Sequence, residues 1–314
     1  MRICIFGAGA IGGHAAARLA RGCAEVSVVA RGPQLDAIRA RGLRIEAPDA
    51  SFAAEIRASQ DPAELGPQDA VLVTVKAPAL PAVAASIAPL LRPDTAVAFV
   101  MNGIPWWYAG EGSLPRLDPA DAVRRAVGLE RTLGGVVWSA CTVVEPGLVR
   151  VQSESSRIIL GRPDGAPSPA AERIARHLTA GGMASAVTPD IRRELWVKLL
   201  NNLTNGPICL LSRADMKTTF AEPALREAAL RILREGLAIA AAEGHALEEG
   251  AEARILRSIT LAHKPSILQD VEANRPTEFA ALFEAALDIG RARGVSSPTL
   301  ETLVALARIA TRPA

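Results

Sequence analysis

A chain of 314 residues is longer than one hydrophobic core usually serves, so two domains are expected. With 49% hydrophobic residues, 22% charged residues and a formal net charge of +2, the composition excludes a disordered chain and a nucleic-acid-coating protein. Cys4, Cys23, Cys141 and Cys209 lie far apart without a CxxC pair. That spacing argues against a disulfide framework and a zinc site, and the four read as packing residues in a reducing compartment.

The first twenty residues combine a basic residue with an apolar stretch, as a secretion signal does, but Gly7, Gly9, Gly12 and Gly13 would break the apolar helix such a signal needs. No run approaches the roughly 18 apolar residues of a membrane span. A soluble, cytoplasmic protein with no membrane or nucleic-acid partner is therefore expected. Residues 2–6 read as a strand, 7–13 as a glycine-rich turn and 11–21 as an alanine-rich helix ending before Gly22. Further apolar runs at 25–30, 70–75 and 96–101, separated by stretches of crossover length, have the near-continuous hydrophobicity of buried parallel strands. Residues 134–160 alternate Val, Thr and Ile with glycine and polar turns, which predicts antiparallel strands closing the first domain. At Thr188-Pro189-Asp190 a helix start begins a second half that reads as helical throughout. The expected fold is α/β: an N-terminal Rossmann doubly wound sheet over residues 1–188, then an all-α domain over 189–314. Within the latter, Phe279, Leu282, Phe283, Ala286 and Leu287 fit one face of an amphipathic helix stopping at Gly294.

The motif Gly7-Ala8-Gly9-Ala10-Ile11-Gly12 is a GxGxxG between a predicted strand and a predicted helix. In that setting the first glycine permits a tight turn, the second lets backbone approach a pyrophosphate, and the third allows helix to pack on strand. The bland alternative is a glycine turn without a ligand. A site for NAD usually places a carboxylate at the end of the second strand to hold the ribose 2′-hydroxyl. Here that end reads Val28-Val29-Ala30-Arg31-Gly32, with no acid to repel a 2′-phosphate and with Arg31 able to pair with one. NADP(H) is the cofactor this implies, against the reading of Arg31 as a solvated loop arginine.

Several further motifs occur in order: GAGAIGG at the amino terminus, Ala30-Arg31-Gly32, Thr74-Val75-Lys76-Ala77, Met101-Asn102-Gly103, Glu194-Leu195-Trp196-Val197-Lys198-Leu199 with Asn202, and Ser266-Ile267-Leu268-Gln269-Asp270 before Thr277-Glu278. Through these the sequence resembles the ketopantoate reductase family along nearly its whole length. The resemblance implies NADPH-linked reduction of a small 2-oxo acid, 2-dehydropantoate, to (R)-pantoate in pantothenate biosynthesis, by a monomer or homodimer. It also implies that Ser266 contacts the substrate carboxylate and that Glu278 lies at the catalytic lysine.

The residues carry physical readings of their own. Lys76 and Asn102 follow apolar runs at what should be carboxyl ends of parallel strands, where doubly wound sheets bind ligands, so both are expected at the cofactor and Asn102 also at the reaction centre. A solvated strand-end lysine is the bland reading of Lys76. Lys198 and Asn202, four apart on a helix, project from one face beside the apolar row Leu195, Leu199 and Leu203. Reducing a ketone leaves negative charge on oxygen, which an ammonium both stabilises and protonates, making Lys198 the candidate general acid. Against this stands an exposed Glu194–Lys198 ion pair, worth about a few tenths of a kcal/mol. Glu278, in the first turn of its helix, suits an ionised carboxylate that keeps Lys198 charged, or is only a helix-terminal charge.

Departures from the family pattern bear on the substrate. Family members often carry a second asparagine four residues after Asn202, where this chain has Gly206; His263 stands where an asparagine contacts substrate; and Phe279 to Glu284 lacks a frequent Asn-Gly. The run Ile104-Pro105-Trp106-Trp107-Tyr108 places aromatics beside the expected pocket, as core or as walls for a wider, more apolar substrate. The alternatives are a D-2-hydroxyacid dehydrogenase of the same family acting on another branched or aromatic 2-oxo acid, and, less favoured, a non-catalytic NADP-binding sensor.

Overall fold

The computed structural model describes residues 1–247 and 249–311. The chain divides into two compact units, one of residues 1–101 with 105–192, the other of residues 102–104 with those from Arg193 onward.

The first unit contains strands β1 (Arg2–Phe6), β2 (Glu25–Val29), β3 (Leu43–Glu46), β4 (Ser51–Ala54), β5 (Arg57–Ser59), β6 (Ala70–Val73), β7 (Ala96–Val100), β8 (Thr132–Trp138), β9 (Cys141–Glu145), β10 (Leu148–Val151), β11 (Arg157–Gly161) and β12 (Ala184–Val187). Its helices are α1 (Ala10–Arg21), α2 (Gly32–Arg41), α3 (Pro62–Leu65), α4 (Leu80–Ser86), α5 (Ala122–Val127) and α6 (Pro169–Ala180). The apolar runs become central strands: β6 and β7 are buried at every residue, as strands covered on both faces must be. Six strands run parallel in the order β5-β2-β1-β6-β7-β8, the doubly wound order, and β11 then β12 extend that sheet. The strand order reverses between β1 and β6, where such sheets bind ligands at their carboxyl ends.

The antiparallel expectation for residues 134–160 holds for β9 with β10 and for β8 with β11, but β8 itself lies parallel to β7. Gly134 and Gly135 lie within β8, where Trp107 and Val100 leave no room for a Cβ. A second sheet, β4-β3-β10-β9, was not predicted; its strands are short and half exposed. Of the cysteines, Cys4 and Cys209 are packed as expected, whereas Cys23 is exposed in the turn after α1; all four are free thiols.

Helix α1 is buried along Gly12 to Leu19, and its small side chains allow backbones to approach closely. A Cβ on Gly181 would lie 1.7 Å from the Arg18 carbonyl oxygen, and one on Gly22 would lie 1.9 Å from that of His177. The same helix carries a buried polar chain. Arg18 Nε donates to His14 Nε2 at 3.2 Å, while its two terminal nitrogens meet Asp49 at 2.6 and 2.7 Å. Because Nε2 accepts, the His14 proton sits on Nδ1, 3.2 Å from Ser139 Oγ. The ring is neutral by environment: burial foremost, then the Arg18 charge, pushes its pKa from 6.5 down to about 4.

The second unit continues with α7 (Ile191–Ser212), α8 (Met216–Thr219), α9 (Pro223–Ala242), α10 (Ala251–Ser258), α11 (Ser266–Glu272), α12 (Ala285–Ala292) and α13 (Pro298–Ala310). Leu195, Leu199 and Leu203 form a buried row on α7 as expected, each contributing roughly 2 kcal/mol. Gly236 on α9 admits the Leu200 side chain, whose Cδ2 would lie 2.8 Å from an added Cβ. The predicted amphipathic helix over residues 279–293 forms, but it opens with a π-turn at Ala280–Glu284 that α12 continues. Among the described residues, no helix is long and apolar enough to cross a membrane.

The His14 shift predicts a pH dependence. The unfolded chain takes up a proton near pH 6.5 that the folded chain refuses until about pH 4, so stability falls with acidification across that window. Between about pH 7 and about pH 4.5 the loss from this residue should be about 2 kcal/mol. Urea unfolding of wild type and His14→Gln at both pH values measures it: the variant should show the smaller pH-dependent loss, and equal losses would rule the mechanism out.

Candidate functional site

The glycine-rich turn after β1 is tightly packed on one side and open on the other. Gly7 has φ +106, and a Cβ there would lie 2.5 Å from Val75 Cγ1. Gly12 faces inward, where a Cβ would sit 2.0 Å from the Gly7 carbonyl oxygen and 2.3 Å from Thr74 Oγ1. Gly9 is the contrast: a Cβ on it would meet nothing within 4 Å, so its backbone borders open space. Gly9 is also the N-cap of α1 and supplies no side-chain cap, which leaves the first-turn amides of Ala10, Ile11 and Gly12 available to an anion. A dinucleotide pyrophosphate fits this donor set. Two side chains hold the turn: Thr74 Oγ1 donates to the Gly7 carbonyl at 2.7 Å, and Gln34 Nε2 donates to that of Ala8 at 2.8 Å. Gln34 was not singled out in the sequence, because an amide on a helix gives no sign that it reaches back to a loop.

Arg31 is exposed as the N-cap of α2, two residues past the end of β2, and no carboxylate stands at that strand end. Lys76 is half-buried three residues past β6 and precedes a short 3-10 turn at Ala77–Ala79. Both therefore lie at carboxyl ends of the parallel strands flanking β1.

In the second unit three of the singled-out residues meet. Lys198 Nζ on α7 donates to Asn102 Oδ1 at 2.7 Å, and Asn102 Nδ2 donates to Glu278 Oε2 at 3.0 Å. The amide orientation is dictated by its neighbours, since the reverse would aim two N–H donors at an ammonium and a carbonyl at a carboxylate. Glu278 is only 6% exposed and directly precedes the first helical residue, Phe279, where amide dipoles favour negative charge. The arrangement is a cation and an anion linked by a neutral amide. The spacing of Lys198 and Glu278 along the chain could not reveal this link, and the bridging group is the asparagine expected at the cofactor.

Asn202 is half-buried one turn beyond Lys198 on α7, and Ser266 is exposed at the first residue of α11. One turn beyond Asn202 stands Gly206, whose missing side chain is replaced by an aromatic ring: a Cβ there would lie 2.7 Å from Phe283 Cζ. Phe283 is fully buried and meets Phe279 edge-on with centroids 5.1 Å apart. His263 is half-buried, and burial pushes its pKa below the usual imidazole value, favouring the neutral ring. Trp106, Trp107 and Tyr108 turn out to be core of the first unit, with exposures of 1, 1 and 5%. Trp106 packs on Phe99, and the Arg192 guanidinium lies 4.9 Å from the Tyr108 ring centroid. These three aromatics are not walls for a wider substrate, because their rings are used up in packing.

Comparison with known proteins identifies the family. Residues 3–165 match the family described as Ketopantoate reductase PanE/ApbA, and residues 190–310 match Ketopantoate reductase PanE/ApbA C terminal. The chain is 39% identical over 317 residues to a 2-dehydropantoate 2-reductase from Mesorhizobium japonicum, covering 98% of this chain and 97% of that protein. A crystal structure of 2-dehydropantoate 2-reductase from Geobacter metallireducens GS-15 superposes with a TM-score of 0.88 at 29% identity, covering 99% of this chain and all of that one (100%). D-mandelate dehydrogenase with NADH and anilino(oxo)acetate shares the fold, with a TM-score of 0.86 at 22% identity over 99% of this chain and 98% of that chain. With both family regions matched in order and a relative aligned end to end, the chain belongs to the ketopantoate reductase family of oxidoreductases.

Proposed function

We propose that this enzyme reduces 2-dehydropantoate to (R)-pantoate with NADPH. Residues 1–188 would hold the dinucleotide, and residues 189–314, joined by Asn102, would supply the substrate-binding and catalytic groups. The observation that carries the reading is the chain Lys198–Asn102–Glu278, which presents a half-buried ammonium held by a polarised amide. The 39% identity to a curated 2-dehydropantoate 2-reductase supports the substrate assignment. The four free thiols suit a reducing compartment such as the cytoplasm.

The cofactor, when bound, supplies the hydride that reduces the ketone carbon. As negative charge grows on the ketone oxygen, the Lys198 ammonium stabilises it and donates its proton there, leaving a 2-hydroxy acid and a neutral amine that solvent reprotonates. Asn102 fixes the ammonium through its carbonyl, and Glu278, through the amide, favours the cationic form of Lys198. Asn202, on the same face of α7, and Ser266 are the groups for the substrate's hydroxyl and carboxylate. Gly7 to Gly12 would hold the pyrophosphate, Arg31 the 2′-phosphate, and Lys76 with Asn102 the nicotinamide half.

A second reading rests on Gly206 and Phe283. The ring that occupies the space one turn beyond Asn202 removes a place for a hydrogen-bonding side chain and favours a 2-oxo acid with an apolar branch, as a D-2-hydroxyacid dehydrogenase would use. A panel of 2-oxo acids followed by NADPH absorbance decides between them. Under the first reading kcat/KM is highest for 2-dehydropantoate; a better apolar or aromatic 2-oxo acid establishes the second.

Lys198→Ala should lower kcat at least about a hundredfold while NADPH binding, followed by fluorescence titration, stays near wild type. Near-normal turnover in this variant would place the proton donor elsewhere. Arg31→Ala should raise the KM for NADPH about tenfold or more and leave that for NADH nearly unchanged, as expected for a charge-assisted bond to phosphate. Equal effects on the two cofactors, or a wild-type preference for NADH, would remove Arg31 from that role.

A further inference from the structure

The residues after Asn102 make contacts that its own side-chain bonds do not explain. Ile104, which is buried, donates its backbone N–H to the Ala281 carbonyl at 2.8 Å. Ala281 lies inside the π-turn Ala280–Glu284 that follows Glu278 and Phe279. Between Asn102 and Ile104, Gly103 has φ +79, and a Cβ on it would lie 2.4 Å from the Ala281 oxygen, 2.5 Å from its carbonyl carbon and 2.8 Å from Leu282 N. No L side chain fits there in either respect: the backbone conformation disfavours one, and the neighbouring atoms are main chain that cannot swing aside.

A π-turn is a rare single-turn widening of an α-helix, frequently found at functional sites. Here the Ala281 carbonyl points outward to Ile104, while the turn keeps its hold on the preceding segment through the Leu282 N–H, which donates to the Glu278 carbonyl at 2.9 Å. Two members of the catalytic chain, Glu278 and Asn102, are thus fastened to one piece of backbone. Glu278 is bonded to the turn through its carbonyl, and Asn102 is set two residues before the Ile104 anchor. An asparagine amide makes its two bonds, to Lys198 and to Glu278, only if its position is right to a fraction of an ångström.

We propose that the π-turn at Ala280–Glu284 and Gly103 together form the positioning element of the catalytic centre, setting the register of Asn102 between Lys198 and Glu278. The inference rests on Lys198 being the proton donor. Gly103 and Ala281 are positioning residues: they touch neither reactant, and act by holding Asn102 in place.

Gly103→Ala tests it. The variant should lose about tenfold to a hundredfold in kcat, the effect expected of a misplacement near 1 Å, with its KM for NADPH within about twofold of wild type. The alkaline limb of its kcat–pH profile, set by loss of the ammonium proton, should shift, because Lys198 loses its tie through Asn102 to Glu278; a change in global stability alone leaves that limb in place. Wild-type kcat with an unmoved pH profile in Gly103→Ala would overturn the proposal, whereas near-normal turnover in Lys198→Ala would overturn the catalytic reading beneath it. Should Gly103→Ala fail to fold, amide hydrogen exchange in the wild-type protein decides: the Ile104 N–H should be strongly protected, and exchange at the rate of an open loop would overturn the proposal.

Discussion

The proposed chemistry depends on one side chain making two opposite hydrogen bonds at once. A primary amide carries an acceptor and a pair of donors on a single rigid plane, so Asn102 can receive the Lys198 ammonium on one side and offer protons to the Glu278 carboxylate on the other. Glutamine carries the same groups, but its extra rotatable bond would loosen the placement. An aspartate would repel Glu278, and an apolar residue would strand a carboxylate that is almost fully buried. The amide thus relates the two charges through one rigid plane.

The cofactor half obeys a different constraint, that of backbone donors. Anion binding at the start of α1 requires that nothing of the protein's own stand at Gly9, and that the helix be held firmly enough for its amides to face the anion without rearrangement. The first condition is met by the absence of a side chain. The second is met by close backbone contact at Gly22 and Gly181 and by the buried His14–Arg18–Asp49 chain. That chain places a guanidinium in the interior with a bond at each of its nitrogens, where an unpaired one would be strongly destabilising.

Packing decides where the aromatic side chains of this protein go. The aromatic run after Gly103 goes entirely into the core of the first unit, while the aromatic ring that does adjoin the α7 face, Phe283, comes from beyond the π-turn and fills the volume left by Gly206. Two positions distant in sequence have thus become one unit of shape, and substituting either without the other would leave a cavity or a clash.

Local pattern was enough for what is decided locally. The buried parallel strands, the GxGxxG turn opening α1, the absence of an acid near Arg31 and the face shared by Lys198 and Asn202 all follow from period, from glycine's freedom of φ and from the 3.6-residue turn, each set within a few residues. The direction of β8, the second sheet and the burial of Trp106 and Trp107 do not, because they depend on which surface a segment meets after the chain has folded back. The same holds for the meeting of Asn102 with Glu278, 176 positions apart, and for the π-turn that fastens Gly103 to Ala281. Sequence alone determined which chemical groups the protein would possess; tertiary structure decided which of them touch, since a hydrogen bond needs its partners within about 3 Å and no local preference carries that information across the chain.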